Sequence, residues 1–431
     1  MTHPSRRTTG AIVVAAASAL LLAACTAGVV ADAGGDATPA PAAGSLPTID
    51  AGGGSSATDA AVQQLLDAAA ARHFDEHALG SLLAEIRIDG EVAAQLALGD
   101  AMSGEPLTLD GRFRNGAVAI TYVGTVMMRL AEDGVIDLDE PIDEWLPDLP
   151  DSDQVTPRML ANMTAGYPDH VANQAFLDAS VADPFYAWTT EELLEFSIGA
   201  PRLFAPGENW DYSHAGYVVL GEVLEAASGR PLDDLIAEVI LDPLALDATV
   251  PDLGPAIPEP AVHAFTLERG VWEDSTYWNP SWTLPAGAVQ TSSISDVAAS
   301  FDAIVGRGEL LDASSWEAMF DAELVGFGEP LDGCRSCHTM VEAWSYGLGA
   351  VLTGDWVKQT PLFGGYAGSV VTLPASRADD GRAVTVAVAV TYTPQTYDDW
   401  DAALRNLADD LALSLAADLV PGNPPPMPPP G

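Results

Sequence analysis

Residues 383–393, AVTVAVAVTYT, are β-rich and almost wholly apolar. A run of that kind must be covered on both faces, so it predicts a strand at the centre of a sheet. Far from it in sequence, SLLAEIRIDG and EVAAQLALGD (81–100) alternate about Asp89-Gly90, a dipeptide that favours a hairpin turn. The chain between, to about Leu284, reads mainly as helix with aromatic and Pro-rich loops. The order is therefore helix, hairpin, helices, strands, helix. It implies one sheet formed by both ends of the chain, with a helical region inserted between them.

Individual elements follow from local pattern. Residues 59–73 place Val62, Leu65, Leu66 and Ala69 on one helical face, behind Thr58/Asp59 as an N-cap. A second helix spans 121–133 and stops at Asp133-Gly134. After Trp344, YGLGAVLT and GSVVTLPAS read as strands, and a last helix runs from about Tyr397 to Leu419. No internal repeat is present.

The ends are of another kind. Arg6 and Arg7 precede an uncharged apolar run from Ala11 to Ala24, a signal-peptide pattern over 1–24. It ends at Leu22-Ala23-Ala24-Cys25, which resembles the bacterial lipobox and predicts lipidation of Cys25. Residues 25–58, rich in Ala, Gly, Pro, Ser and Thr, read as a tether. Residues 420–431 read as a Pro-rich tail without a core role. These segments place the domain, 59–419, on the extracytoplasmic side of the cell membrane. Sixty-two acidic against seventeen basic residues give a net charge of −45. A surface so acidic excludes nucleic acid as a partner and leaves the membrane to be reached only through a lipid anchor.

Several landmarks stand in a fixed order. Phe113-Arg114-x-Gly116 leads into a helix and is followed by LAEDGVIDLDEPIDEWLP (130–147) and VTPRMLANMTAGY (155–167). FAPGENWDYSHAGYVVLGEVLEAASG (204–229), PAGAVQTSSISDVAASF (285–301) and YGLG (346–349) complete the series. On these the chain, from about Asp59 to Leu419, resembles the serine beta-lactamase-like and penicillin-binding family, in its D,D-peptidase, esterase and class C beta-lactamase branch. The resemblance implies an α/β (α+β) fold, an antiparallel sheet built from both chain ends and flanked by helices. The helical subdomain would span roughly 125–290.

The family's chemistry needs a Ser-x-x-Lys at a helix N-terminus, a Tyr-x-Asn or Ser-x-Asn, and a Lys- or His-x-Gly on a strand. Counting back from Gly134 puts Ala117 at the serine position and Ile120 at the lysine position. The chain has one lysine, Lys358, with Asp355 three residues before it, so no Ser-x-x-Lys exists anywhere. The second motif stands as Tyr212-Ser213-His214 and the third as Phe363-Gly364-Gly365. Ser to Ala, Lys to Ile, and His or Lys to Phe each exchange a polar group for an apolar one. The resemblance thus implies a hydrolase-family domain without catalysis, needing no cofactor or metal, monomeric, and binding a peptidoglycan peptide or other cleft ligand.

Two other readings stay open at this point. Tyr212 and His214 could act as acid and base in a rewired enzyme such as a beta-lactamase, D,D-carboxypeptidase or esterase. Cys334-x-x-Cys337-His338 matches the pattern of c-type haem attachment, against a Cys334–Cys337 disulfide in an oxidising compartment. Closing so small a ring contributes about 2 kcal/mol at most. His73, His77, His170 and His263 show no metal-ligand spacing. Trp272, Trp278 and Trp282 lie in a region that borders the cleft in this fold, where packing is the simpler role.

Overall fold

The computed structural model describes residues 55–426, apart from 103, 252–253 and 399–404. The signal-peptide, Cys25 and tether readings lie outside the described residues, except for the last four tether positions. Those, 55–58, already belong to helix α1 (Ser55–Glu76), so Thr58/Asp59 lie inside the helix instead of capping it.

The hairpin forms where the sequence places it. β1 (Ser81–Ile88) and β2 (Glu91–Met102) meet across Asp89 and Gly90, whose φ values of 53° and 86° suit a two-residue turn. A short β3 (Glu105–Pro106) extends this edge, and β4 (Phe113–Arg114) pairs with β5 (Gln290–Ser292) apart from it. At the other end of the chain lie β10 (Tyr366–Leu373) and β11 (Val384–Thr391). β11 pairs antiparallel with β1 on one side, Ser81 opposite Thr391, and with β10 on the other. Beyond β10 come β8 (Trp356–Gln359), β7 (Val351–Thr353) and β6 (Ser345–Tyr346), while β9 (Leu362–Phe363) pairs locally with β10. Among the described residues the antiparallel sheet has nine strands, with the apolar run at its centre. YGLGAVLT is thus two short strands, β6 and β7, separated by a turn, not one.

All eight residues of β11 are buried, and they divide by size. Val384, Val386, Val388 and Val390 face the core shared with α1 and the C-terminal helix α8 (Leu407–Leu419). Ala387 and Ala389 face the other core, where α7 (Ile294–Phe301) packs. Small side chains there let helix and cleft approach the sheet closely. α8 starts at Leu407 because Asn406 caps it, its Oδ1 accepting from the amides of Ala408 and Asp409. Of the helix predicted from about Tyr397 to Leu419, the described residues show a single turn at Thr396–Asp398 and then α8; residues 399–404 between them lie outside the described residues.

The inserted region holds α2 (Val118–Glu132), α3 (Pro157–Ala161), α4 (Gln174–Ala182), α5 (Thr190–Ile198) and α6 (His214–Ser228). α2 is buried on nearly every side. Gly124 lets it do so, because a Cβ there would lie 2.4 Å from the Leu348 carbonyl of the YGLG turn. The start of the tail corrects the reading of 420–431. The buried Trp356 donates its indole N–H to the Asn423 carbonyl at 2.9 Å, and Thr353 donates to Pro426 O at 3.1 Å. A buried indole N–H needs an acceptor, and the tail supplies it.

Candidate active-site cleft

The cleft lies between the strand ends at β1, β9, β10 and β11 and the N-termini of α2 and α6. Ala117 holds the N-cap position of α2 with φ −59° and ψ −12°, and no side chain caps the helix. Ile120, one turn on, is 2% exposed. Both line the cleft together with Tyr212, His214, Trp282 and Phe363. Five of the six degenerate positions read from the sequence therefore meet in one place. Gly365 does not; it forms the turn after Phe363 (φ 87°) and faces an adjoining chamber. Leu362 lines the cleft beside Phe363, so either residue of this strand brings hydrocarbon to the cleft.

Tyr212-Ser213-His214 resolves into separate tasks. Ser213 is the N-cap of α6: its Oγ accepts from Gly216 N at 3.0 Å and donates to Tyr167 O at 3.1 Å. The hydroxyl next to His214 in sequence is thus committed to structure. His214 donates from Nδ1 to Asp169 Oδ2 at 2.8 Å, both side chains buried. That bond fixes the orientation of the ring. The Tyr212 ring lies 5.4 Å from the imidazole. Asp169 is fully buried, which opposes its charge. The His214 imidazole and the Val171 amide outweigh this and hold the carboxyl below its ordinary range. Neighbouring His170 donates from Nε2 to Trp282 O at 2.9 Å, and burial pulls its pKa down to about 4, so it is neutral at pH 7. Sequence reasoning missed Asp169. Its partner is 45 residues away, and no spacing rule marks the pair.

The cleft hydroxyls outside Tyr212 serve the fold. Ser81 Oγ and Thr391 Oγ1 pair at 2.7 Å, Thr283 donates to Pro280 O at 2.7 Å, and Tyr366 donates to Val262 O. Arg114, also in the lining, donates to the carbonyls of Pro255, Thr276 and Trp278 at 2.9–3.2 Å. Burial lowers its pKa to about 10, which keeps it cationic at neutral pH. Lys358 lies elsewhere. Its Nζ is 2.6 Å from Asp409 Oδ2, buried between β8 and α8. The chain's only lysine is thus fixed in a core ion pair.

Trp282 and Phe363 pack across the cleft with ring centroids 5.8 Å apart. They narrow it to a cavity of about 60 Å³, against roughly 300–1,000 Å³ for small-molecule sites in general. Behind them, Trp188, Trp278 and the buried Glu268 line a second chamber. Trp278 and Trp282 are therefore wall residues, whereas Trp272 is partly exposed and stacks on Phe265.

Burial, helped by Glu273, raises the Glu268 carboxyl to about 7. A carboxyl raised on folding favours the folded state fully below its unfolded pKa, and that advantage disappears as pH rises through 7. Glu268→Gln is expected to stabilise the protein by about 2–3 kcal/mol at pH 8 and to be nearly neutral at pH 5. Urea titrations at the two pH values read this directly, and equal effects at both would rule it out.

Cys334 and Cys337 form a disulfide. His338 bonds through Nδ1 to Ser336 O at 2.7 Å and packs its ring against Trp210 and Trp344. Both sulfurs are thus used in a bond that haem thioethers would have to replace, and the histidine is held in an aromatic cluster. The residues do not fit c-type haem attachment.

A model of the Beta-lactamase family matches residues 58–412. Esterase EstB of Burkholderia gladioli is 31% identical over 197 residues, covering 42% of this chain and 49% of the esterase. Penicillin-binding protein 4* of Bacillus subtilis is 30% identical over 148 residues, covering 33% of this chain and 31% of that protein. The chain thus spans half or less of these relatives' lengths. A D-stereospecific amidohydrolase from a Streptomyces species superposes with a TM-score of 0.62 at 26% identity, over 79% of this chain and 97% of the amidohydrolase. D-amino acid amidase from Ochrobactrum anthropi shares the fold, with a TM-score of 0.62 at 22% identity over 83% of this chain and 99% of that one. With the two-ended antiparallel sheet, the inserted helices and a match over residues 58–412, this chain belongs to the Beta-lactamase family.

Proposed function

We propose that this protein is a non-acylating member of its family, a domain that binds a cell-envelope ligand in its cleft without cleaving it. One observation supports the reading: Ala117, which the family register puts at the serine position, brings a methyl to the cleft at the start of α2, with Ile120 one turn on. Carbon with no lone pair cannot attack a carbonyl. Loss of a nucleophile alone costs a factor of about 10⁶ in turnover, or roughly 8 kcal/mol of barrier. The ligand class is a peptidoglycan peptide or a comparably extended molecule, entering once the Trp282 and Phe363 rings part. Incubation with a labelled penicillin is expected to leave the intact mass unchanged, and stem peptides are expected to raise the melting temperature. An acyl adduct on the unmodified chain would overturn the reading.

The location belongs to the same proposal. Cys25 would carry a lipid on the outer side of the cell membrane, with the domain on a short tether. Among the described residues no helix is long and apolar enough to cross a membrane. Cys25→Ser is therefore expected to move the protein from the membrane fraction to the soluble fraction, and persistence in the pellet would count against the lipid.

A second reading rests on the His214–Asp169 bond, which orients an imidazole as a base toward the cleft. It predicts slow hydrolysis of activated esters that His214→Ala abolishes. Ester turnover indifferent to that substitution would remove it.

A further inference from the structure

We propose that Cys334 and Cys337 form a thiol–disulfide exchange site, in which Cys334 receives an external thiol and Asp211 handles the proton of its sulfur. The two cysteines differ in access: Cys334 is half-buried and Cys337 is buried, at 8% exposure. Cys334 opens onto a groove of about 470 Å³, lined also by Asp169, Asn173, Phe196, Asp211 and Arg335. That is room for a small dithiol or for a cysteine on an extended peptide. The exposed Arg335, next to Cys334 in sequence, lines the same groove on a molecule otherwise strongly acidic. A thiolate approaching the groove meets favourable charge there.

Asp211 is placed for proton transfer. Its Oδ1 lies 3.2 Å from Cys334 Sγ, and one oxygen of Asp211 with both sulfurs falls within a 4.8 Å cluster. Ser336 donates its hydroxyl to the same carboxylate and accepts from the Tyr212 amide at 2.8 Å. Burial, with Asp169 adding negative charge nearby, raises the Asp211 carboxyl to about 6, within the range where an acid and its conjugate base are both available. The Cys337 amide donates to Cys334 Sγ at 3.0 Å, which supports negative charge on that sulfur. So small a ring adds little to stability.

The chemistry balances with an external dithiol as reductant. Its first thiolate attacks Cys334 Sγ, the Cys334–Cys337 bond breaks, and the electron pair leaves on Cys337. Cys337 takes up the proton given up by the attacking thiol. The second external thiolate then attacks the external sulfur of the mixed disulfide. The pair leaves on Cys334, which is protonated by the Asp211 carboxyl, and Asp211 is reprotonated by the proton of the second thiol. Two electrons pass to the protein, and the external dithiol becomes a disulfide. Oxidation runs the same steps backward, with Asp211 taking the Cys334 proton.

The test uses the full chain carrying Cys25→Ser, so that only two thiols report. Brief treatment with dithiothreitol at pH 6–7, followed by alkylation and intact-mass analysis, is expected to reduce the bridge while circular dichroism stays unchanged. In the reduced protein, Cys334 is expected to alkylate about tenfold faster than Cys337. Asp211→Asn is expected to slow reduction about tenfold, without loss of the fold. Adding Cys337→Ser to the Cys25→Ser protein should leave a Cys334 thiol that attacks oxidised glutathione, forming a mixed disulfide at Cys334 and releasing one glutathione as the thiol. The proposal is overturned if the bridge resists reduction until the protein unfolds, if the two thiols alkylate at equal rates, or if Asp211→Asn reduces as fast as its parent.

Discussion

Ala117→Ser combined with Ile120→Lys is expected to leave the protein unreactive toward a labelled penicillin, even though it rebuilds a Ser-x-x-Lys in sequence. The new amine would enter a site whose walls are Trp282, Leu362 and Phe363, with His214 tied to Asp169. A lysine acts as a base for serine only when its surroundings both lower its pKa and hold it toward the hydroxyl. Hydrocarbon supplies the first and not the second. Ile120 is 2% exposed in the main core, so an ammonium or a desolvated amine there is expected to cost about 2–4 kcal/mol of stability. Intact-mass analysis and a urea titration read the two effects. Fast acylation of the double variant would show that the cleft retains a working geometry and lacks only two side chains.

The largest expected effect on stability lies on the far side of the sheet. Lys358→Ala leaves Asp409 buried against β8 and β10, with the Ser369 hydroxyl at 2.8 Å and the first turn of α8 left to support its charge. Removing one partner of a buried ion pair typically costs about 3–5 kcal/mol. Replacing both, as Lys358→Met with Asp409→Leu, is expected to recover most of that loss, less about 1–2 kcal/mol for the stranded Ser369 hydroxyl. Urea midpoints of the single and double variants form the test. A loss under about 1 kcal/mol in Lys358→Ala would mean that water reaches Asp409 and that the pair is not the buried contact described.

What the sequence made legible divides along physical lines. The centre of the sheet could be read because β11 is apolar on both faces, and the hairpin because Asp89 and Gly90 tolerate positive φ. Ala117 and Ile120 could be placed because the count back from Gly134 through α2 meets no gap, and helical spacing then brings them together. The function of Ser213 was not legible, since a serine before a helix serves equally as cap or reactant until its hydrogen bonds are seen. Asp169 and Asp211 escaped for a related reason. Each acquires its role through a residue distant in the chain, His214 for one and the Cys334–Ser336 loop for the other. Length misled at the edges of the domain. The tail looked featureless because proline cannot advertise a contact made by its carbonyl, yet Pro426 accepts from Thr353.

The pairing of β1 with β11 also sets an order of assembly. Ser81 and Thr391, joined side chain to side chain, are 310 residues apart in sequence. As the chain emerges from its amino end, β1 has β2 as its neighbour and no second partner until nearly the whole domain has followed. The apolar edge of that early hairpin stays open meanwhile, and closing a loop of this length makes the last strand's arrival slow. A nascent chain stopped before Val384 would lack the strand that joins the two halves of the sheet, so a domain of this topology cannot mature piecemeal. It must be kept from aggregating as a long, half-paired intermediate and then completed in a single late step, which makes the holding capacity of its folding compartment a determinant of yield.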